Sequence, residues 1–89
     1  MTPQKYKVIY EKRVAKDFSK IPNYDVVKII EKIHSLARDE EWLDIKKLQW
    51  YAEGLCRLRV GNYRVIYEKD GEVLTIYILE VWHRKEIYR

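Results

Sequence analysis

One stretch limits the possible folds more than any other: residues 55–81 alternate in polarity with a period of two and are punctuated by turn signals. In Leu55 to Val60, Cys56, Leu58 and Val60 fall on one side of an extended chain and Arg57 and Arg59 on the other. Gly61-Asn62 is a two-residue hairpin signal, and Tyr63 to Lys69 reads as the return strand. Asp70-Gly71 is a second hairpin signal, with Val73 to Val81 as the third strand. Leu74, Ile76 and Ile78 would share one face of that strand, and Val73, Thr75, Tyr77 and Leu79 the other. A strand apolar on both faces is expected to be central and at least partly covered twice.

Upstream the period changes. Tyr6 to Tyr10 is β-branched and aromatic and reads as a first strand. Val14, Ala15, Phe18 and Ile21 recur at helical spacing, and Pro22 ends that short helix. Asn23 can cap a second helix, with Asp25 in its first turn. Its apolar stripe is Val26, Ile29, Ile30, Ile33, Leu36 and Ala37, with Lys28, Glu31, Lys32, Ser35 and Arg38 opposite. The helix ends near Asp39, before an acidic loop that contains Trp42. The order strand, helix, helix, three strands (β-α-α-β-β-β) predicts an α+β domain over 1–89, two helices covering one face of a small, mostly antiparallel sheet. The first strand must join that sheet, at an edge the sequence does not specify.

The rest of the composition works mainly by exclusion. Eighty-nine residues suffice for one domain with one modest core. A single cysteine excludes an internal disulfide and a multi-cysteine zinc site, and Cys56 is expected to face inward. Neither histidines nor carboxylates show metal-ligand spacing, so no metal or other cofactor is expected. No apolar run approaches the roughly 20 residues of a membrane span, and no secretory signal is visible; a cytoplasmic setting is the default expectation. The net charge is only +4, but basic groups concentrate in residues 1–20, 55–69 and 82–89. Brought together, such blocks suit a polyanion.

The meander is the place for that convergence. Arg57 and Arg59 share a strand face with Cα atoms about 6–7 Å apart. Arg64 begins the neighbouring strand, and Arg84 follows the next one. Guanidinium groups bind phosphate oxygens in pairs. A single arginine of this kind is ordinarily a solvated surface charge; the interest lies in four converging. His83 stands beside Arg84 and can titrate near neutrality, so it is a possible acid or base. Tyr88 could serve as base if cations favour its phenolate, or its ring could simply anchor the tail. His34, at the edge of the helical stripe, reads as a packing or surface residue.

Two of these segments have a familiar form. Leu55-Cys56-Arg57-Leu58-Arg59-Val60-Gly61-Asn62-Tyr63-Arg64-Val65-Ile66-Tyr67-Glu68 resembles the signature hairpin of the RelE/ParE toxin superfamily, and His83-Arg84-Lys85-Glu86-Ile87-Tyr88-Arg89 resembles the ending of its RelE branch. Ile45-Lys46-Lys47-Leu48 is similar to the family's segment entering the sheet. The resemblance implies a RelE-like, microbial-RNase-type fold. It also implies a toxin that enters the ribosomal A site and cuts messenger RNA there, the 2′-hydroxyl attacking the adjacent phosphate without a metal. Arg57, Arg59, Arg64, Arg84 and Tyr88 would form the catalytic set, and Lys46, Lys47 and Lys85 would contact RNA. The implied partners are a RelB-like antitoxin, the ribosome and its message, with no membrane. Exposed Trp42, Trp50 and Trp82 would be covered by the antitoxin in a hetero-oligomer. This sequence carries arginines where the best-known members have lysines at the strand pair. Arginine stays charged, so Arg57 and Arg59 suit charge stabilisation and not the base, which leaves Tyr88 or His83. Two other readings accompany this one: a ParE-like toxin that poisons gyrase without nuclease activity, and an inactive module that only binds antitoxin.

Overall fold

The computed structural model describes residues 3–48 and 54–84. Its elements are β1 (Lys7–Tyr10), α1 (Lys12–Ser19), α2 (Asn23–Ala37), β2 (Ile45–Lys47), β3 (Leu55–Val60), β4 (Tyr63–Asp70) and β5 (Thr75–His83). They form one five-stranded sheet in the order β1-β5-β4-β3-β2. β1 runs parallel to β5, and every other pairing is antiparallel. The α+β architecture is the expected one, and β1 takes the edge beside β5. The sequence pattern does not announce one strand: β2 is three residues long, exposed at every position and two-thirds lysine, so no periodicity marks it. Pairing with β3 alone makes it a strand.

The core lies between the sheet and the helices. Ile29 and Ile33 of α2, Val14 of α1, and Leu58, Val65, Tyr67, Ile76 and Ile78 of the sheet are essentially inaccessible. Cutting any of the buried Leu or Ile residues back to alanine removes about 2–5 kcal/mol in cores of this kind. Burial raises the Tyr67 hydroxyl far above its ordinary pKa, so this tyrosine is a neutral core residue. The alternation in β3 is as expected, with Cys56, Leu58 and Val60 buried. Gly61 has φ 57, and Val60 pairs with Tyr63 across the two-residue turn. Glycine, lacking a Cβ, takes that left-handed turn position at the least steric cost.

Three local expectations need correction. The second turn is longer than two residues: Asp70 pairs with Thr75, and the Asp70 carboxylate accepts the N–H groups of Glu72 and Val73. Val73 and Leu74 are therefore exposed turn residues, Leu74 at φ 48, and not the start of a strand. Pro22, not Asn23, occupies the N-cap of α2, and Asn23 is the first helical residue. Ser35, assigned to the polar face, is buried, its hydroxyl accepting Nη2 of Arg38 at 3.1 Å.

The most consequential irregularity is a β-bulge. Ile66 pairs with Glu80 but Tyr67 pairs with Ile78, so Leu79 is an extra residue in β5. A one-residue insertion reverses which face every later side chain occupies. Val81 becomes buried and Glu80 and Trp82 turn to the opposite side. β1 pairs with β5 only as far as Ile78, and α1 takes over beyond it: Oδ2 of Asp17 accepts the Val81 N–H at 3.0 Å. Asp17→Ala would strand that donor and is expected to cost about 1–3 kcal/mol in chemical denaturation. A loss below half a kcal/mol would show that water replaces the carboxylate.

Candidate active site

The face of the sheet away from the helices carries the candidate site. Cross-strand register sets it out in rows. Lys46 lies opposite Arg57, Arg57 opposite Ile66, and Ile66 opposite Glu80. In the next row Arg59 lies opposite Arg64, and Arg64 opposite Trp82. A cleft of about 340 Å³ opens between them, with Leu48, Leu55 and Ile66 as its apolar part and Arg57, Arg64, Glu80 and Trp82 as its polar one.

The electrostatics of this face are unbalanced. Like charges directly opposite each other across two strands destabilise a sheet, and Arg59 and Arg64 are such a pair. Neither forms an ion pair among the described residues. Arg57 is held more tightly: its side chain is 16% exposed, and Nη2 donates to Oδ1 of Asp44 at 3.0 Å. Its Nε is buried with no acceptor among the described residues, and so is Nε1 of Trp82. Glu80 accepts Nη1 of Arg13, from α1, at 2.6 Å. No cluster of three or more His, Cys, Asp or Glu residues suited to a metal ion occurs among the described residues. No described helix is long and apolar enough to cross a membrane.

Residues 8–88 match the family described as "ParE toxin of type II toxin-antitoxin system, parDE". The chain is 38% identical to Toxin RelE3 of Methanocaldococcus jannaschii over 92% of its own length and 94% of the relative's. It is 31% identical to Toxin RelG of Mycobacterium tuberculosis, over 94% and 97% respectively. The chain belongs to the RelE/ParE superfamily of type II toxins. Its fold superimposes with a TM-score of 0.74, at 34% identity, on a chain in the crystal structure of a RelB-RelE antitoxin-toxin complex from Methanococcus jannaschii, covering 90% of this chain and 94% of that one.

Within this RelE-like toxin the basic residues singled out from sequence do not all meet. Arg57, Arg59 and Arg64 share the open face, and Lys46 joins them through its pairing with Arg57. Lys47 pairs with Cys56, whose side chain is in the core, and so points to the helical side. His83 is also on that side: it pairs with Tyr63, and the two rings pack edge to face at 5.1 Å. Tyr63 in turn donates its hydroxyl to Asp25 of α2 at 2.9 Å. The bulge at Leu79 is the reason, since unbroken alternation would have put His83 beside the arginines. Arg84 is exposed at the end of β5, its N–H donating to the Asn62 carbonyl in the hairpin turn at 2.6 Å. Tyr88, Lys85 and Trp50 lie outside the described residues.

The toxin also brings to this face residues that sequence reasoning missed. Asp44, which carries no pattern of its own in the sequence, orders Arg57. Glu80 and Trp82 were hidden by the bulge, and Arg13 by its place on a helix 67 residues away in sequence. The isolated acid Glu80 between apolar strand residues was the one available signal. On the helical side, Trp42 is 61% exposed, with Nζ of Lys32 3.8 Å from its ring centre, while His34 is exposed.

Proposed function

We propose that this toxin is a ribosome-dependent endoribonuclease that cuts messenger RNA in the A site and so arrests translation in the cytoplasm. The observation that carries the reading is the Arg59–Arg64 pair, two like charges held opposite each other with no acid pairing either of them among the described residues. Such an arrangement costs stability in the free protein and is relieved when an anion sits between the guanidinium groups. The buried Nε of Arg57 and Nε1 of Trp82 have the same logic, since a ligand can supply the acceptors they lack.

The chemistry follows from those groups. An RNA phosphate bound by Arg57, Arg59 and Arg64 is attacked by its own 2′-hydroxyl, giving a 2′,3′-cyclic phosphate and a free 5′-hydroxyl. Negative charge grows on the phosphoryl oxygens during attack, and fixed guanidinium groups are worth most there. Arg84, exposed at the strand end, would extend the basic track, with Lys46 and the tail residue Lys85 as further RNA contacts. Tyr88 would meet the substrate from the tail. Lys47 and His83, on the helical side, have no part in this arrangement.

A RelB-like antitoxin is the partner this reading requires, by analogy with the RelB-RelE complex of the structural relative. It would neutralise the basic face and cover apolar groups such as Trp42, folding as it binds. The match to a family described as ParE favours one second reading, a gyrase poison. Inducible expression separates the two. Growth arrest with translated messages cut inside the A-site codon, and an intact chromosome, is the expected result. Arrest with intact messages and broken chromosomal DNA would replace the nuclease by the gyrase poison; no arrest at all would leave the inactive module.

A further inference from the structure

We propose that Glu80 is the general base that takes the proton of the attacking 2′-hydroxyl, an inference that rests on the nuclease reading above. The site needs a proton acceptor, and its arginines cannot be one because they stay protonated. His83, the imidazole nearest in sequence, is on the other side of the sheet. Among the described residues that line the cleft, Glu80 is the one carboxylate. Nothing in an unbroken strand alternation would bring it there; the bulge at Leu79 does.

Its placement suits the role. Glu80 is two residues from Trp82, which lies opposite Arg64. That makes Glu80 and Arg64 diagonal neighbours on one face, about 7–8 Å apart at the backbone. A phosphate held by Arg64 would then leave its ribose towards Glu80. The carboxylate is partly buried, with a side chain 25% exposed, and Arg13 grips Oε1. That contact fixes the rotamer while engaging one oxygen, so Oε2 is the atom assigned to the substrate. The charged groups facing Glu80 are Arg13 and, behind it, Asp17 from α1, Arg64 from β4 and Arg57 from β3.

The step balances simply. The 2′-oxygen forms a bond to phosphorus as its proton passes to Oε2 of Glu80. The P–O5′ bond breaks, and the leaving 5′-oxygen takes a proton from solvent water. The protonated Glu80 returns its proton to solvent, which restores the starting state.

The test is single-turnover cleavage of a message on programmed ribosomes, measured across pH with the full chain. Glu80→Gln keeps the shape and an oxygen for Arg13 but cannot accept a proton. It is expected to lose on the order of 10²- to 10³-fold in rate. The acid limb of the pH profile should vanish with it. Glu80→Asp should keep that limb at a reduced rate, and it decides the matter if the glutamine variant fails to fold. Arg13→Met should lose less than Glu80→Gln and retain the limb. The proposal is overturned if Glu80→Gln cuts at the wild-type rate with an unchanged profile, or if Arg13→Met reproduces its full loss, which would make Glu80 only an anchor for Arg13. It is also overturned if Tyr88→Phe, and not Glu80→Gln, removes the acid limb. Wild-type toxin that leaves the message uncut would bring down the nuclease reading itself, a result distinct from these.

Discussion

Arg64→Ala is expected to abolish message cleavage while leaving the fold intact. Arg64 lines the cleft, pairs across the sheet with both Arg59 and Trp82, and has no acidic partner among the described residues. Its charge therefore does little for stability but is available for the charge that develops on phosphorus. Removing one such preorganised donor typically costs 10²–10³-fold, or about 3–4 kcal/mol of transition-state stabilisation. The stability change should have the opposite sign to that of a core mutation. Losing one of two opposed arginines relieves repulsion, so the melting temperature should hold or rise slightly, within about 0.5 kcal/mol of stability. Arg64→Lys should fall between, since the charge survives but the two-pronged geometry does not. The measurements are cleavage on programmed ribosomes and thermal melting of the same preparations. A variant that melts as wild type and still cuts at the wild-type rate would remove Arg64 from the site.

Naked RNA of the same sequence is expected to be cut at least 10³-fold more slowly than the message in the A site. The open face can hold a phosphate, but it is a shallow surface of about 340 Å³ and cannot force the 2′-oxygen, phosphorus and 5′-oxygen into line. Correct alignment is worth roughly 7–11 kcal/mol when supplied in full, and here the ribosome would supply it. The face still contributes attraction. If Arg57, Arg59 and Arg64 each displace a counterion from single-stranded RNA, affinity should fall with salt at a log–log slope of about −2, and more steeply where ribosomal RNA adds contacts. Equal rates on free and ribosome-bound RNA would overturn the dependence on the ribosome. Binding that is flat in salt would remove the electrostatic part.

Several parts of this site are legible in the sequence because they rest on local chemistry. Arg57 and Arg59 share a face because alternation is a property of any extended chain, and the neighbours Cys56, Leu58 and Val60 say which face is buried. Arg64 comes opposite Arg59 because Gly61 and Asn62 close the tightest hairpin, which sets the register. The long stripe from Val26 to Ala37 announces α2 for the same kind of reason. By contrast β2 carries no pattern of its own, and the four-residue turn before β5 depends on the carboxylate of Asp70. Leu74 shows how an apolar residue can be mistaken for a strand position when a side chain decides the turn.

What the sequence by itself determined is therefore every element but β2, the register of the first hairpin and the arginine triad, all governed by contacts within a few residues. What only the tertiary structure decided is the rest of the site. β1 pairs with β5 only as far as Ile78, which leaves the end of β5 without a partner strand on that side, and Asp17 of α1 takes the Val81 N–H there. The bulge in the same stretch sends His83 to the helices and Glu80 and Trp82 to the cleft. The physical reason is that strand parity is conserved along a chain until one extra residue breaks it. Whether a bulge is tolerated depends on groups packed beside it, here a carboxylate 64 residues away in sequence.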